Sequence, residues 1–251
     1  MSNRYGTLAA WVYHVDKPIG HSFGDIEFYR ERLAGCEGPI LEPAVGNGRA
    51  IIPLIESGCD VVGFDTSADM LDFCRKECAA RGLKPSLSVQ SFESFEYDRK
   101  FEAIIIPAGS FQLITEATVA RSVLCRFQRA LSPGGRLIVD LDPISSFVTP
   151  GARVRHWQVG DDVLTLQESR AETDFVRQTT VSQLRYEHWR SGQLVSVELD
   201  LFSLRWWGIV EFELALCEAG FTEIVISGDY QFGSMPKSDV RSITFEARIP
   251  E

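Results

Sequence analysis

The sequence predicts an α/β fold: a doubly wound, mainly parallel sheet interrupted by an inserted antiparallel sheet. Three observations carry this. Between residues 39 and 141, short apolar runs alternate with helix-length amphipathic segments, the rhythm of strands joined by crossover helices. After Pro143 that rhythm gives way to strand following strand with short turns between. From residue 208 the helix-then-strand pattern resumes.

In chain order, residues 1–38 are polar and aromatic, and a helix is expected over 25–34, starting behind Gly24. Strands are expected at 39–43, 60–64, 86–90, 102–106 and 135–141, with helices over about 48–57, 67–81 and 116–131 between them. Ser67 followed by Met70, Leu71 and Cys74 reads as a capped amphipathic start. Ser132-Pro133-Gly134-Gly135 reads as a stop before the apolar run that ends at Leu141. From about 152 to 205, turns at Gly160-Asp161 and Ser191-Gly192 separate strands. There Val195, Val197, Leu199 and Leu201 alternate with Ser196, Glu198 and Asp200, which predicts that the apolar face is buried and the polar face wet. Four of the five tryptophans, Trp157, Trp189, Trp206 and Trp207, lie in this block or at its exit. A helix over 208–219 stopping at Gly220, then strands at 221–227 and 242–249, complete the chain. The expected organisation is a helical lid (1–38), a ligand-binding α/β domain (39–143 with 208–251), and a β insertion (144–207) acting as a substrate cap or dimer interface.

A chain of 251 residues with 45% hydrophobic and 24% charged positions can bury one substantial core. Its net charge of -10 and scattered basic residues argue against a nucleic-acid partner, since phosphate backbones require clustered Lys and Arg. The start of the chain lacks the charged-then-apolar layout of a signal peptide, and no apolar run approaches membrane-spanning length, so a cytoplasmic protein without a membrane partner is expected. Cys74 and Cys78, at i and i+4, share a helix face, but no His or Cys cluster completes a ligand set; the six cysteines are expected to be structural thiols, and no metal site is expected.

The chemistry is concentrated at residues 40–49, Ile-Leu-Glu-Pro-Ala-Val-Gly-Asn-Gly-Arg. An apolar run ends in a carboxylate, Glu42, and a turn containing Gly46 and Gly48 opens the next helix. Glycines remove side chains where a ligand must touch backbone, and the helix N-terminus adds donors. A second carboxylate, Asp65, closes the following apolar run, where it can accept both hydroxyls of a ribose. A dinucleotide site would want a third glycine where Ile51 stands, and has no use for Glu42 beside an anionic pyrophosphate. A cationic adenosine ligand does use it, because Coulomb attraction then favours binding. These residues point to S-adenosylmethionine (SAM).

Residues 39–141 and 208–249 resemble the class I SAM-dependent methyltransferases. Leu41-Glu42-Pro43-Ala44-Val45-Gly46-Asn47-Gly48-Arg49 is similar to that family's first motif, and residues 61–71, Val-Val-Gly-Phe-Asp-Thr-Ser-Ala-Asp-Met-Leu, to its second. The Leu131–Val139 turn-and-strand and the segment from Glu211 to Ala219-Gly220-Phe221 resemble later landmarks. The resemblance implies a Rossmann-like, seven-stranded sheet whose last strand is antiparallel, and methyl transfer that yields S-adenosylhomocysteine. It places Glu42 near the methionine part of SAM, Asp65 on the ribose, and Thr66 and Met70 beside the adenine, with Ala44, Gly46, Gly48, Arg49, Ser91, Phe92 and Pro107 completing the cofactor set. Ala44 stands where the family has its first glycine, and Ser91 where an acid often pairs with the adenine. The β insertion, the aromatic N-terminal helix and the Arg-Trp-Trp exit look like the layout of glycine-type and amino-sugar N-methyltransferases.

The acceptor is expected to be a small molecule methylated on N or O above the carboxyl ends of the fourth and fifth strands. Lining candidates are Tyr13, Tyr29, Ser110, Phe111, Gln112, Arg205 and Trp206. His14, His21, His156 and His188 are the possible bases, with His14, His156, Arg205 and Tyr13 the catalytic candidates. Arg205 could hold an acceptor anion or pair with Glu198 or Asp200. Two rival functions differ in class: an NAD-dependent oxidoreductase, and a SAM-binding sensor or partner subunit without catalysis. A homodimer through the insertion is expected from its unpaired edge strands.

Overall fold

The computed structural model describes residues 5–148 and 151–251. Two N-terminal helices, α1 (Thr7–Asp16) and α2 (Asp25–Arg32), precede β1 (Ile40–Pro43), α3 (Ile51–Glu56), β2 (Val61–Asp65), α4 (Ala68–Ala80), β3 (Leu87–Val89) and β4 (Phe101–Ile106). A 3-10 turn (Ser110–Leu113), α5 (Ala117–Ala130), β5 (Leu131–Leu141) and a short α6 (Ser145–Val148) follow. Strands β6 (Ala152–Val159), β7 (Asp162–Asp174), β8 (Thr179–Arg190) and β9 (Gln193–Arg205) form the insertion, and α7 (Ile209–Glu218), β10 (Thr222–Gly228) and β11 (Ile243–Arg248) close the chain.

The main sheet has seven strands in the order β10-β11-β5-β4-β1-β2-β3. Strands β1 to β5 run parallel, whereas β11 is antiparallel to both β5 and β10. Its central strands are buried on both faces, which is why they read as unbroken apolar runs. One face packs against α2, α3 and α4 through Phe28, Ile51, Leu71 and Cys74, and the other against α5 and α7 through Leu124, Phe127, Phe212 and Leu216. Such a sheet presents the carboxyl ends of β1, β2, β4 and β5 along one edge, with the strand order reversing between β1 and β4. Among the described residues no helix is long and apolar enough to cross a membrane.

The helix α1 has no counterpart in the expected elements. It lacks a side-chain cap and an acidic first turn, so its start carries no sequence signal. Its apolar face, Leu8, Ala9 and Val12, instead packs on Leu164, Leu166, Leu184 and Tyr186 of the inserted sheet. Helix α3 is shorter than the expected 48–57, beginning only after the glycine turn. In β5 the Ser132–Gly135 segment loops out, so that Phe101 pairs with Leu131 and Ala103 with Arg136.

The insertion is a four-stranded antiparallel sheet, β6-β7-β8-β9. The alternation in β9 is present, but its expected sidedness is inverted. Val195, Val197, Leu199 and Leu201 are 37–70% exposed, while Glu198 and Asp200 turn inward. The reason is α1: its Leu8 N–H donates to Glu198 Oε2 (3.0 Å), so the acid supplies the helix N-terminus with the acceptor it lacks.

Candidate active site

Past β1, the chain turns through Ala44, Gly46 and Gly48, all with positive φ (54°, 57° and 92°). Ala44 therefore holds a left-handed conformation that ordinarily favours glycine. The two glycines have different reasons. A Cβ on Gly46 would come within 3.1 Å of Met70 Cε and would stand in the cavity, whereas one on Gly48 would meet Cys74 Sγ at 2.8 Å. Gly46 leaves room for a ligand, and Gly48 lets α4 pack closely.

Asp65, at the tip of β2, is fixed by backbone donors. Its Oδ2 accepts from Gly46 N (2.9 Å) and its Oδ1 from Ser67 N (2.8 Å). Burial pushes its pKa up and these backbone bonds pull it back. Glu42 differs: it is 3% exposed, and its Oε2 has no hydrogen-bond partner. Burial pushes its pKa to about 8, with Arg49 opposing and Asp25 and Asp65 adding to the rise. A buried carboxylate without a donor is costly unless something comes to meet it.

A cavity of about 390 Å³ opens above this floor. Of the expected cofactor residues, Ala44, Gly46, Asp65, Thr66, Met70, Ser91 and Phe92 line it. Phe64 and Phe92 meet edge to face at 6.2 Å, and Leu113, Ile114 and Val119 form an apolar wall that the sequence reading passed over. Tyr5, Gln90, Glu93 and Glu116 also line it without having been anticipated. The apolar segment just before the expected 116–131 helix was the available signal for that wall.

Glu42, Gly48, Arg49 and Pro107 fall outside this lining. Arg49 is 4% exposed and its Nη2 pairs with the fully buried Asp25 at 2.5 Å, while Nη1 donates to the His21 carbonyl (2.7 Å). It therefore fastens α2 to the glycine turn. Asn47 performs the same office for α1, donating through Nδ2 to the Lys17 carbonyl (2.9 Å). The Pro107 carbonyl accepts the Ser110 hydroxyl (3.0 Å) and shapes the turn after β4.

The acceptor candidates divide similarly. Tyr13 and Ser110 line the cavity. Tyr13 also lines a second cavity of about 150 Å³ beneath the inserted sheet, with Tyr5, Lys17, Arg155, Glu168 and Tyr186. Phe111 belongs to the main core, stacking edge-on with Phe212 at 5.3 Å. Tyr29 is fully buried in the core beside Phe28 and lines neither cavity. Arg205 pairs with Glu211 (2.8 Å), not with Glu198 or Asp200, and donates to the Arg177 carbonyl (2.6 Å). It ties the insertion to α7, and its neighbour Trp206 packs between Phe147 and Phe175. None of the four histidines lines either cavity. His14 stacks on Phe73 at 4.5 Å, and burial lowers its pKa. His21 lies against Phe23, His156 is on the exposed face of β6, and His188 is engaged with Asp162 at 2.7 Å.

The carboxyl end of β5 holds two acids that the sequence reading missed, Asp140 and Asp142. Asp140 accepts from Ala108 N (3.1 Å), Thr244 Oγ1 (2.7 Å) and Tyr230 OH (3.1 Å), and burial lifts its pKa to about 6. Gln112, fully buried, exchanges hydrogen bonds with the backbone of Asp142 (2.8 and 3.2 Å). Acids alternating at the end of a parallel strand were the signal for this pair.

A glycine-floored cavity with one carboxylate fixed at its β2 corner, and another unpaired in β1, is the arrangement that the first two motifs imply. Residues 40–135 match the methyltransferase domain family. Over those residues the chain carries a methyltransferase domain, set in a fold that SAM-dependent methyltransferases share. A glycine/sarcosine N-methyltransferase of Parasynechococcus marenigrum (strain WH8102) is 28% identical over 198 residues, spanning 76% of this chain and 66% of that protein's length. The sugar N-methyltransferase KedS8 from a Streptoalloteichus species superposes with a TM-score of 0.78, 16% identity and coverage of 100% of this chain and 94% of its own. The CcbJ methyltransferase from Streptomyces caelestis gives 0.77 with 21% identity and 99% coverage of both chains. At such identities these two structures speak for the fold alone, insertion included.

Proposed function

We propose that this methyltransferase transfers the methyl group of SAM to nitrogen of a small-molecule amine. The observation that carries the reading is the glycine-floored cavity with Asp65 fixed at its border, together with the unpaired, buried Glu42 in the strand that leads into the Ala44–Gly46 turn. SAM is a cation with a ribose, and the residues present fit both features: Glu42 lacks a partner that the ligand's ammonium would supply, and Asp65 is held with its free lone pairs toward the cavity. The relatives whose names specify an acceptor act on glycine, sarcosine or a sugar nitrogen, which favours N over O.

When bound, SAM supplies a methyl group already activated by its sulfonium. The chain's own work is to bind, align and exclude water, which accounts for most of the acceleration in such a displacement. Asp65 holds the ribose, Thr66, Met70, Phe92, Leu113 and Val119 enclose the adenine, and Ser91, already bonded to Ser94 (3.0 Å), edges it. Residues 1–38 act as the lid, with Tyr13 closing the methionine end, and residues 144–207 cap the acceptor. Calorimetry with SAM, S-adenosylhomocysteine and NAD tests the cofactor; binding of NAD alone would overturn the reading. Turnover of methyl-labelled SAM against amine, phenol and carboxylic-acid panels tests the acceptor class, with amines expected to react.

We also propose a homodimer through the outer face of the inserted sheet. Val154, Val197, Leu199 and Leu201 make that face apolar and exposed, and Arg185 and Glu187 lie across from β9 on the same side. A dimer that Leu199→Lys converts to a monomer is the expected result in light scattering, and a monomeric wild type refutes it.

A further inference from the structure

The Asp142 carboxylate has no part in the arrangement so far. It lies one residue past β5, half-buried, and no side-chain hydrogen bond or ion pair reaches its carboxylate among the described residues. Its backbone, in contrast, is fixed on both sides by the buried Gln112. The carboxylate lies against the turn after β4, because a Cβ on Gly109 would stand 3.2 Å from Asp142 Oδ2. Gly109 precedes Ser110, which lines the cofactor cavity. Lys17 lies near enough to favour the charged form of Asp142, and Lys17 Nζ sits 4.9 Å over the ring of Tyr13, which with Tyr5 lines both cavities. Asp142 is therefore a free carboxylate on a rigid support, against the β4 turn that carries Ser110 into the cavity. Asp140 is saturated by three donors and Glu42 lies beneath the glycine turn, so Asp142 is the acid left available on this side.

We infer that Asp142 receives the acceptor's ammonium group and takes the proton that frees its lone pair. This rests on the N-methyltransferase reading above. An amine arrives at neutral pH as a cation and must lose one proton before it can attack. Asp142 accepts that proton; the nitrogen lone pair forms the N–C bond as the C–S bond breaks, and the electron pair of that bond stays on sulfur. The methylated nitrogen carries the positive charge that the sulfonium gives up, and the Asp142 proton passes to solvent. Burial raises the Asp142 pKa and Lys17 opposes the rise, which suits a carboxyl that must exchange a proton with an amine. Gln112 is a positioning residue in this scheme.

The test uses the full chain and Asp142→Asn, which keeps the shape, with Asp142→Glu as the conservative variant. Glycine, sarcosine and galactosamine are the amine probes, titrated calorimetrically into the S-adenosylhomocysteine complex and assayed with labelled SAM. For the best probe, Asp142→Asn is expected to lose about tenfold or more in amine affinity and about 100-fold or more in kcat/KM, the usual span for acid–base groups. Its affinity for S-adenosylhomocysteine should stay unchanged, the acid limb of the pH–kcat/KM profile should vanish, and Asp142→Glu should recover part of the rate. Amine affinity and kcat/KM within threefold of wild type in Asp142→Asn overturn the inference, as does a parallel loss of S-adenosylhomocysteine affinity. A wild type that binds SAM but takes up none of the amines overturns it alone. A wild type that fails to bind SAM overturns the underlying reading.

Discussion

The two sheets bury their residues on different terms. In the seven-stranded sheet, helices cover both faces and the central strands are buried, with their acids set at the strand ends. The four-stranded sheet is covered on one face only, by a single helix, and leaves an apolar stripe outside. The first arrangement fixes atoms: Asp65 is held between two backbone amides, and the Asp25–Arg49 pair locks α2 to the glycine turn. The second offers surfaces: one cavity beneath, one open face above. Rigid chemistry at the strand ends and adaptable recognition at the insertion is the division of labour this teaches.

Substitutions can break or sharpen that division. Arg49→Met should have the largest effect, about 3–5 kcal/mol of stability by denaturant titration, because it strands the buried Asp25 charge. A loss below about 1 kcal/mol would mean that α2 is not held from below. Asp65→Ala should weaken SAM binding by about 1–3 kcal/mol in calorimetry by leaving hydroxyls unpaired; an unchanged Kd would place the ribose elsewhere. Glu42 gives a pH signature with a definite sign. Its folded pKa of about 8 lies above the ordinary carboxylate range, so the folded chain binds a proton that the unfolded chain releases. The ligand-free protein should therefore lose stability as pH rises from that range through about 8, while SAM affinity rises over the same interval. Glu42→Gln should flatten both trends, and parallel slopes in the two proteins would clear Glu42 of the role. Ala44→Gly should relieve the left-handed alanine and raise stability by about 1 kcal/mol in a thermal melt. Leu199→Lys should change monomer stability by less than about 0.5 kcal/mol; a larger loss would show the outer face to be core.

What the sequence disclosed follows the same line. The glycine turn, the seven-stranded sheet with its antiparallel last strand implied by the family resemblance, and the insertion were all legible, because local pattern and buried strands leave strong signals. Arg49 was misjudged because its partner Asp25 lies in another element, and pairing at that distance has no sequence signature. The β9 sidedness was misjudged because alternation reveals two faces but not which one meets α1. The wall made by Leu113, Ile114 and Val119 is ordinary apolar sequence until folding brings it over Thr66 and Met70. Asp142 was overlooked although its position was readable, since a strand-end acid without a motif around it draws no notice.

The Tyr13 side chain belongs to both cavities, and α1, which carries it, touches α4 on one flank and the inserted sheet on the other. Such a helix is a party wall. Whatever settles it from one room would stiffen it for the other, so a guest in either cavity would be felt in the second. Whichever arrives first sets the terms for the second, and the coupling must be equal in both directions.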